Sequence, residues 1–298
     1  MAALALIAVG GRVAHSGASL RDHLIGTYEI LCRWGAAPDV CIAGLMHSVY
    51  STQYFTTQIL SPALRRQVAA AVGARAERIA HLFCRLDRVA IRASTAPAVG
   101  ASVRLPMHGG GGSLRVPRLS FDALRLIDIA NEIEQRQRQT LPQLPWLAWA
   151  SAGFAAIGFE PKRLGDFVVI RERDEHDALR HYRAALEAGV ETAHKPLQRC
   201  VERMPRCAEP RILLSLRQLQ RRRFDAAYAN ASQGESDLLA WGAAWDPRIP
   251  FTAWRLLAAQ IADAARAASS EPPALGMQVL ERLRDLERSV VHASLDPA

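Results

Sequence analysis

The chain has 298 residues, 50% hydrophobic and 22% charged, which suffices for two modest domains and excludes a disulfide-stapled miniprotein or a wholly disordered chain. Lys plus Arg is 37 against 29 Asp plus Glu, a net charge of 37 − 29 = +8 carried almost wholly by arginine, since Lys162 and Lys195 are the only lysines. The arginines are spread along the chain, which favours a small anionic metabolite over nucleic acid as partner.

Residues Met1 to Val9 are apolar, lack a positive flank and are too short to span a bilayer. They read as a buried first element of a soluble, cytoplasmic protein with no membrane partner. Leu20, Leu24, Tyr28 and Leu31 then recur at helical spacing, opened by a Ser19/Asp22 capping box and closed by Gly35. Pro38 starts a second helix running to about Ser51. Ser61-Pro62 opens a third, to about Val72, and a fourth runs from Arg75 to about Arg88. Val103-Arg104-Leu105 and Leu114-Arg115-Val116 flank the run Gly109 to Gly112 and predict a short β-hairpin insertion with a flexible tip. Ser120 is expected to cap a long helix to about Thr140.

A connector rich in Pro and Trp follows, with Pro142, Pro145, Trp146 and Trp149. Beyond it the chain reads as paired helices: His181 to Ala188, Lys195 to Arg203, Pro210 to Arg221, Phe224 to Gly242, Phe251 to Ala268 and Pro273 to His292. Arg217, Arg221, Arg222 and Arg223 read as solvated residues set against a helix C-terminal dipole. The five cysteines form no C-x-x-C pair, and Cys32, Cys41 and Cys84 sit in helical patterns as reduced, buried thiols.

His23 and His47 fall on the first two helices, joined by the turn Gly35 to Pro38. An antiparallel pair brings such imidazoles together, as a bundle-core metal site requires. On the long helix, Asp128 and Asn131 are three apart and share a face, and Asn131 stands in the same relation to Glu134. There is no Gly-x-Ser-x-Gly elbow, phosphate-binding P-loop or dinucleotide-binding fingerprint.

The stretch Arg12-Val13-Ala14-His15-Ser16-Gly17, His23, and Ala43-Gly44-Leu45-Met46-His47-Ser48-Val49-Tyr50, with 47 − 23 = 24 residues between the two histidines, resembles the HD-domain superfamily. It looks most like the HD domains of (p)ppGpp synthetase/hydrolases. Leu124-Arg125-Leu126-Ile127-Asp128-Ile129-Ala130-Asn131 is similar to the segment carrying the family's last metal-ligating Asp. The resemblance covers roughly residues 12 to 135. It implies an HD-like helical bundle over 1–145, and the paired helices beyond it, where Arg223-Phe224-Asp225-Ala226-Ala227-Tyr228 looks like part of a tetratricopeptide-type hairpin, read as a C-terminal helical-hairpin domain over 165–298, so the whole fold is expected to be mainly α. It further implies a divalent metal (Fe, Mn or Zn) on His23, His47 and Asp128. His15 or His81 is then an extra ligand or proton-transfer group, and Arg12 or Arg125 meets the substrate's charge. Ser48 stands where the family has the second Asp of its motif, and Tyr50, Ser51, Thr52 and Gln53 stand where the hydrolases carry an acidic pair. The implied activity is metal-dependent hydrolysis of a phosphate ester or nucleotide-type molecule. The alternatives are a non-haem iron oxygenase acting on a small metabolite, and a catalytically degenerate scaffold that binds a protein partner, or a second copy, through the C-terminal helices.

Overall fold

The computed structural model describes residues 14–15, 18–137, 146–162, 169–188, 192–268 and 271–293. Met1 to Val9 and Arg12 lie outside them. The fold is mainly α. Two compact units emerge, residues 1–139 with 150–165, and residues 140–149 with 166–298. No helix among the described residues is long and apolar enough to cross a membrane.

The first unit opens on two paired dipeptides, β1 (Ala14–His15) and β2 (Ala18–Ser19). Helix α1 (Leu20–Trp34) follows, with the Ser19 hydroxyl accepting from the Asp22 amide at 3.1 Å and Gly35 closing it at φ 76°. Helix α2 (Pro38–Leu45) is shorter than its sequence pattern suggests. It gives way to turns through Tyr50, so His47 and Ser48 sit past its end, and Ser51 takes a positive φ of 72°. Helices α3 (Arg65–Val72) and α4 (Ala74–Arg85) meet at Gly73, whose φ of 95° a side chain would strain. Asp87 caps the short α5 (Arg88–Ala93). The hairpin β3 (Ser102–Pro106) and β4 (Ser113–Pro117) is antiparallel with Leu105 opposite Leu114. The long α6 (Arg118–Arg136) begins two residues before Ser120, because Pro117 already holds the extended geometry of an N-cap. Leu20, Leu24, Leu45, Met46, Val49, Val68 and Val72 form one apolar core; each large side chain buried contributes about 1.5–3 kcal/mol. Cys32, read above as buried, is exposed, since the buried face of α1 runs through positions 20, 23, 24, 27, 30, 31 and 34.

Helix α7 (Leu147–Ile157) occupies part of what the sequence reads as a connector. The second unit continues with α8 (Glu172–Glu187), α9 (His194–Arg203), α10 (Ala208–Gln220), α11 (Phe224–Trp241), α12 (Phe251–Arg266) and α13 (Ala274–Ala293). Helix α8 starts nine residues before the expected His181, because Glu172, Asp174 and Glu175 favour a helix N-terminus. Consecutive helices pack as neighbours, α8 on α9 and α10 on α11 on α12. The core holds Trp146, Trp241, Trp245 and Trp254, and the carboxylates of Glu175, Glu209, Asp237 and Asp246 are buried in the same unit. Glu175 accepts from backbone amides of residues 146 to 148 and from the Trp245 indole.

Glu209 accepts from the Trp245 amide at 2.6 Å. Burial pushes its carboxyl from an ordinary 4.5 up to about 8, and the charge of Asp246 adds to the rise. Between those values the folded chain keeps a proton that the unfolded chain has lost. Stability is therefore full below the lower value and falls as pH rises through the upper, by about 1.4 kcal/mol per pH unit at most. Glu209→Gln mimics the protonated acid and is expected to flatten urea midpoints measured between about pH 5 and 8. Parallel profiles for the two proteins would refute this.

Candidate functional site

The chemistry-bearing side chains of the first unit converge where α1, the turn after α2, and α6 meet. His23 lies on the buried face of α1, one turn before Thr27, whose hydroxyl donates to the His23 carbonyl at 3.0 Å. The His23 Nδ1 donates to the Glu134 carboxylate on α6. Gly26 permits this approach: a Cβ there would sit 2.7 Å from Glu134 Cγ. His47 is held from the other side, its Nδ1 donating to the Gly44 carbonyl at 2.6 Å. A carbonyl can only accept, so that nitrogen carries the proton. Both rings are 1% exposed, and their Nε2 atoms face each other at 3.1 Å.

Asn131 closes the group. With its amide nitrogen toward the rings it lies 3.1 Å from His23 Nε2 and 3.0 Å from His47 Nε2, and its oxygen accepts from Arg88 at 2.6 Å. Arg88 is the pivot between this group and its neighbours. Its guanidinium donates to Asp128 Oδ1 from Nε at 2.9 Å and from Nη2 at 2.6 Å, and to Glu132 at 2.7 Å. It also lies 5.2 Å from the centre of the Phe83 ring, which in turn packs edge-on against His47 at 5.3 Å. Arg92 adds a second fork onto Asp128. Burial alone would push the Asp128 carboxyl up, but the hydrogen bond from Arg92 and the charges of Arg88 and Arg92 outweigh it and hold the group below the usual carboxylate range.

The expected residues therefore separate. His23 and His47 come together as the spacing implies. Asp128 lies on the right helix, yet two arginines hold its carboxylate, and Asn131, one turn on, meets the imidazoles instead. Ser48 is buried beside His47. His81 lies on α4 with its ring 5.7 Å from that of Tyr50, where burial and the nearby Arg65 lower its pKa. Its Nδ1 has no hydrogen-bond partner. His15 falls on β1, but its side chain is outside the described residues. Arg125 is buried on α6 with Nη1 unpartnered. Arg88 and Arg92 carried no sequence signal, because their partners lie 40 and 36 residues away on another helix.

A family profile described as "Domain of unknown function (DUF6817)" matches residues 6–88. That span holds His23, Gly44, His47 and Arg88 and ends before Asn131 and Glu134. No curated protein and no solved structure matches the chain.

A divalent ion needs donors that converge, and two imidazole nitrogens with their protons fixed on the far side of the ring provide that. The carboxylate and carbonyl behind them are the usual outer partners of metal-binding histidines. No group of three or more His, Cys, Asp or Glu converges among the described residues. Asn131 turns its amide N–H toward the rings and its oxygen toward Arg88, so it partners the imidazoles as a hydrogen-bond donor and not as a ligand. Two neutral imidazoles suit zinc or ferrous iron better than magnesium, calcium or manganese.

Proposed function

We propose that the first unit is a metal-dependent enzyme in which His23 Nε2 and His47 Nε2 hold a zinc or ferrous ion. The facing of the two Nε2 atoms at 3.1 Å carries this reading. With the protons of both rings on Nδ1, each ring presents a lone pair to the same point, which favours an electropositive group there. The Asn131 amide supplies that weakly, and a cation strongly. A bound ion supplies Lewis acidity and a water of lowered pKa. Glu134 and the Gly44 carbonyl set ring orientation and tautomer, and Arg88 fixes Asn131. Hydrolysis of a small phosphate ester or nucleotide-type metabolite is the activity that goes with this site, and it rests on the HD-like pattern of His23 and His47.

The Asn131 bridge also favours a second reading, a metal-free binding module in which the amide permanently satisfies both imidazoles. Elemental analysis of protein purified without chelator separates the two. The enzyme reading expects stoichiometric zinc or iron in the wild type and its loss in His47→Ala, with the helical circular dichroism unchanged. Apo-protein that takes up neither zinc nor ferrous ion would leave the binding module standing. Oxygen consumption by an iron-loaded protein would redirect the activity to oxygenation.

A further inference from the structure

Among the described residues of the second unit, one buried cation is assigned no ion pair and has two unpartnered donors. Arg217, on α10, is 1% exposed. The sequence places it in a solvated arginine cluster, and Arg221, Arg222 and Arg223 are indeed exposed, but Arg217 points into the unit. Its Nη1 donates to the Gln220 side chain at 2.8 Å, which fixes the plane of the guanidinium. Its Nε and Nη2 have no hydrogen-bond partner. Arg284, on α13, is anchored by the end of α8, with Nε on the Leu186 carbonyl at 2.9 Å and Nη2 on the Ala188 carbonyl at 3.0 Å. Helix α13 approaches α10 closely, since a Cβ on Gly276 would lie 3.1 Å from the Leu216 side chain.

The two charges that act on Arg217 are both positive. Burial, then the charges of Arg284 and Arg221, push the Arg217 guanidinium down to about 10, so it remains charged at neutral pH. Arg221 and Arg223 also act on His194 at the start of α9, whose Nδ1 is a second buried atom without a partner. A guanidinium cannot escape burial by losing its proton near neutral pH, and a buried charge left uncompensated is strongly destabilising. The two unpartnered donors of Arg217 share one edge of the fork, where two parallel N–H groups match two oxygens of a phosphate or carboxylate.

We propose that this edge is an oxyanion site that takes the phosphate group of a small metabolite, with Arg217 as the bidentate donor and Arg284 and Arg221 supplying the surrounding positive charge. The charges of Arg284 and Arg221 also act on this guanidinium, which favours a dianion over a monovalent carboxylate. The site lies in the second unit and does not depend on metal at His23 and His47.

The test is thermal unfolding and calorimetry on the full chain, with inorganic phosphate as the probe and potassium chloride at equal ionic strength as the control. Wild type is expected to bind phosphate and gain melting temperature with it. Arg217→Met removes the fork and the uncompensated charge together. Its phosphate affinity is expected to fall roughly tenfold or more. In phosphate-free buffer it should melt no lower than wild type, because the apo protein no longer carries an unpaired buried cation. Arg217→Lys keeps the charge without the paired donors and is expected to bind more weakly than wild type, which keeps the test decisive if the Met variant fails to fold. Phosphate that stabilises all three proteins equally, or wild type no more than chloride does, overturns the proposal.

Discussion

Asp128→Ala is expected to destabilise the first unit by about 3–5 kcal/mol while leaving metal uptake intact. Asp128 is fully buried and receives forks from Arg88 and Arg92, the former also buried. Removing the carboxylate strands the buried Arg88 guanidinium against Phe83, with the partly exposed Glu132 as the carboxylate left to share between two arginines and the neutral Asn131 oxygen beside it. The loss is the cost of an unpaired buried charge, not the net worth of the ion pair. A pH signature accompanies it. Because the folded carboxyl titrates below its unfolded value, its contribution is complete above the unfolded range and disappears as acid protonates the folded form. The gap between wild type and variant in urea midpoints should therefore narrow as pH is lowered through that range. Were Asp128 itself a ligand, the variant would lose metal as fully as His47→Ala does. Metal content and urea midpoint measured on the same two preparations decide between a positioning anchor and a ligand.

What could be read from the sequence depended on whether a residue's partner lies nearby in the chain. Ser19, Asp22 and Gly35 bracket α1 because caps act within one turn. The hairpin register follows from matched short runs about a glycine tip. His23 and His47 were legible as a pair because one tight turn joins their segments. Asn131 was legible only as a residue sharing a face with Asp128; which of the two reaches the imidazoles depends on helix rotation, and no spacing rule encodes that. Helix α7 was hidden because Leu147-Ala148-Trp149-Ala150 is apolar all round and shows no amphipathic period. Arg217 was misplaced because a run of arginines reads as solvated, whereas the run turns a corner at Arg222, at φ 58°, and α10 carries Arg217 inward on its buried face. The buried carboxylates Glu175 and Glu209 left no trace, since their partners are mostly backbone amides that every residue possesses.

Glu175→Ala is expected to be the most damaging single change in the second unit, costing about 4–5 kcal/mol or more. The Glu175 side chain is fully enclosed and accepts four hydrogen bonds. Oε1 takes the Trp146 amide at 2.9 Å, the Leu147 amide at 2.8 Å and the Trp245 indole at 2.8 Å, while Oε2 takes the Ala148 amide at 2.7 Å. The three amides are orphan donors at the start of α7, and a carboxylate from α8 serves as their cap from outside the helix, where it also meets the positive end of the helix dipole. Alanine removes the acceptor that four buried donors share and leaves a cavity beside Trp146 and Trp245. Glu175→Gln retains one acceptor oxygen but turns an N–H toward one of the amides, so it should fall between wild type and alanine. Hydrogen exchange separates this account from a general loss of packing. In Glu175→Gln the amides of residues 146 to 148 should lose protection first, while those of α10 and α11 keep theirs until global unfolding. Uniform loss of protection across the unit would mean that Glu175 acts through the tryptophan core as a whole and not as the cap of α7.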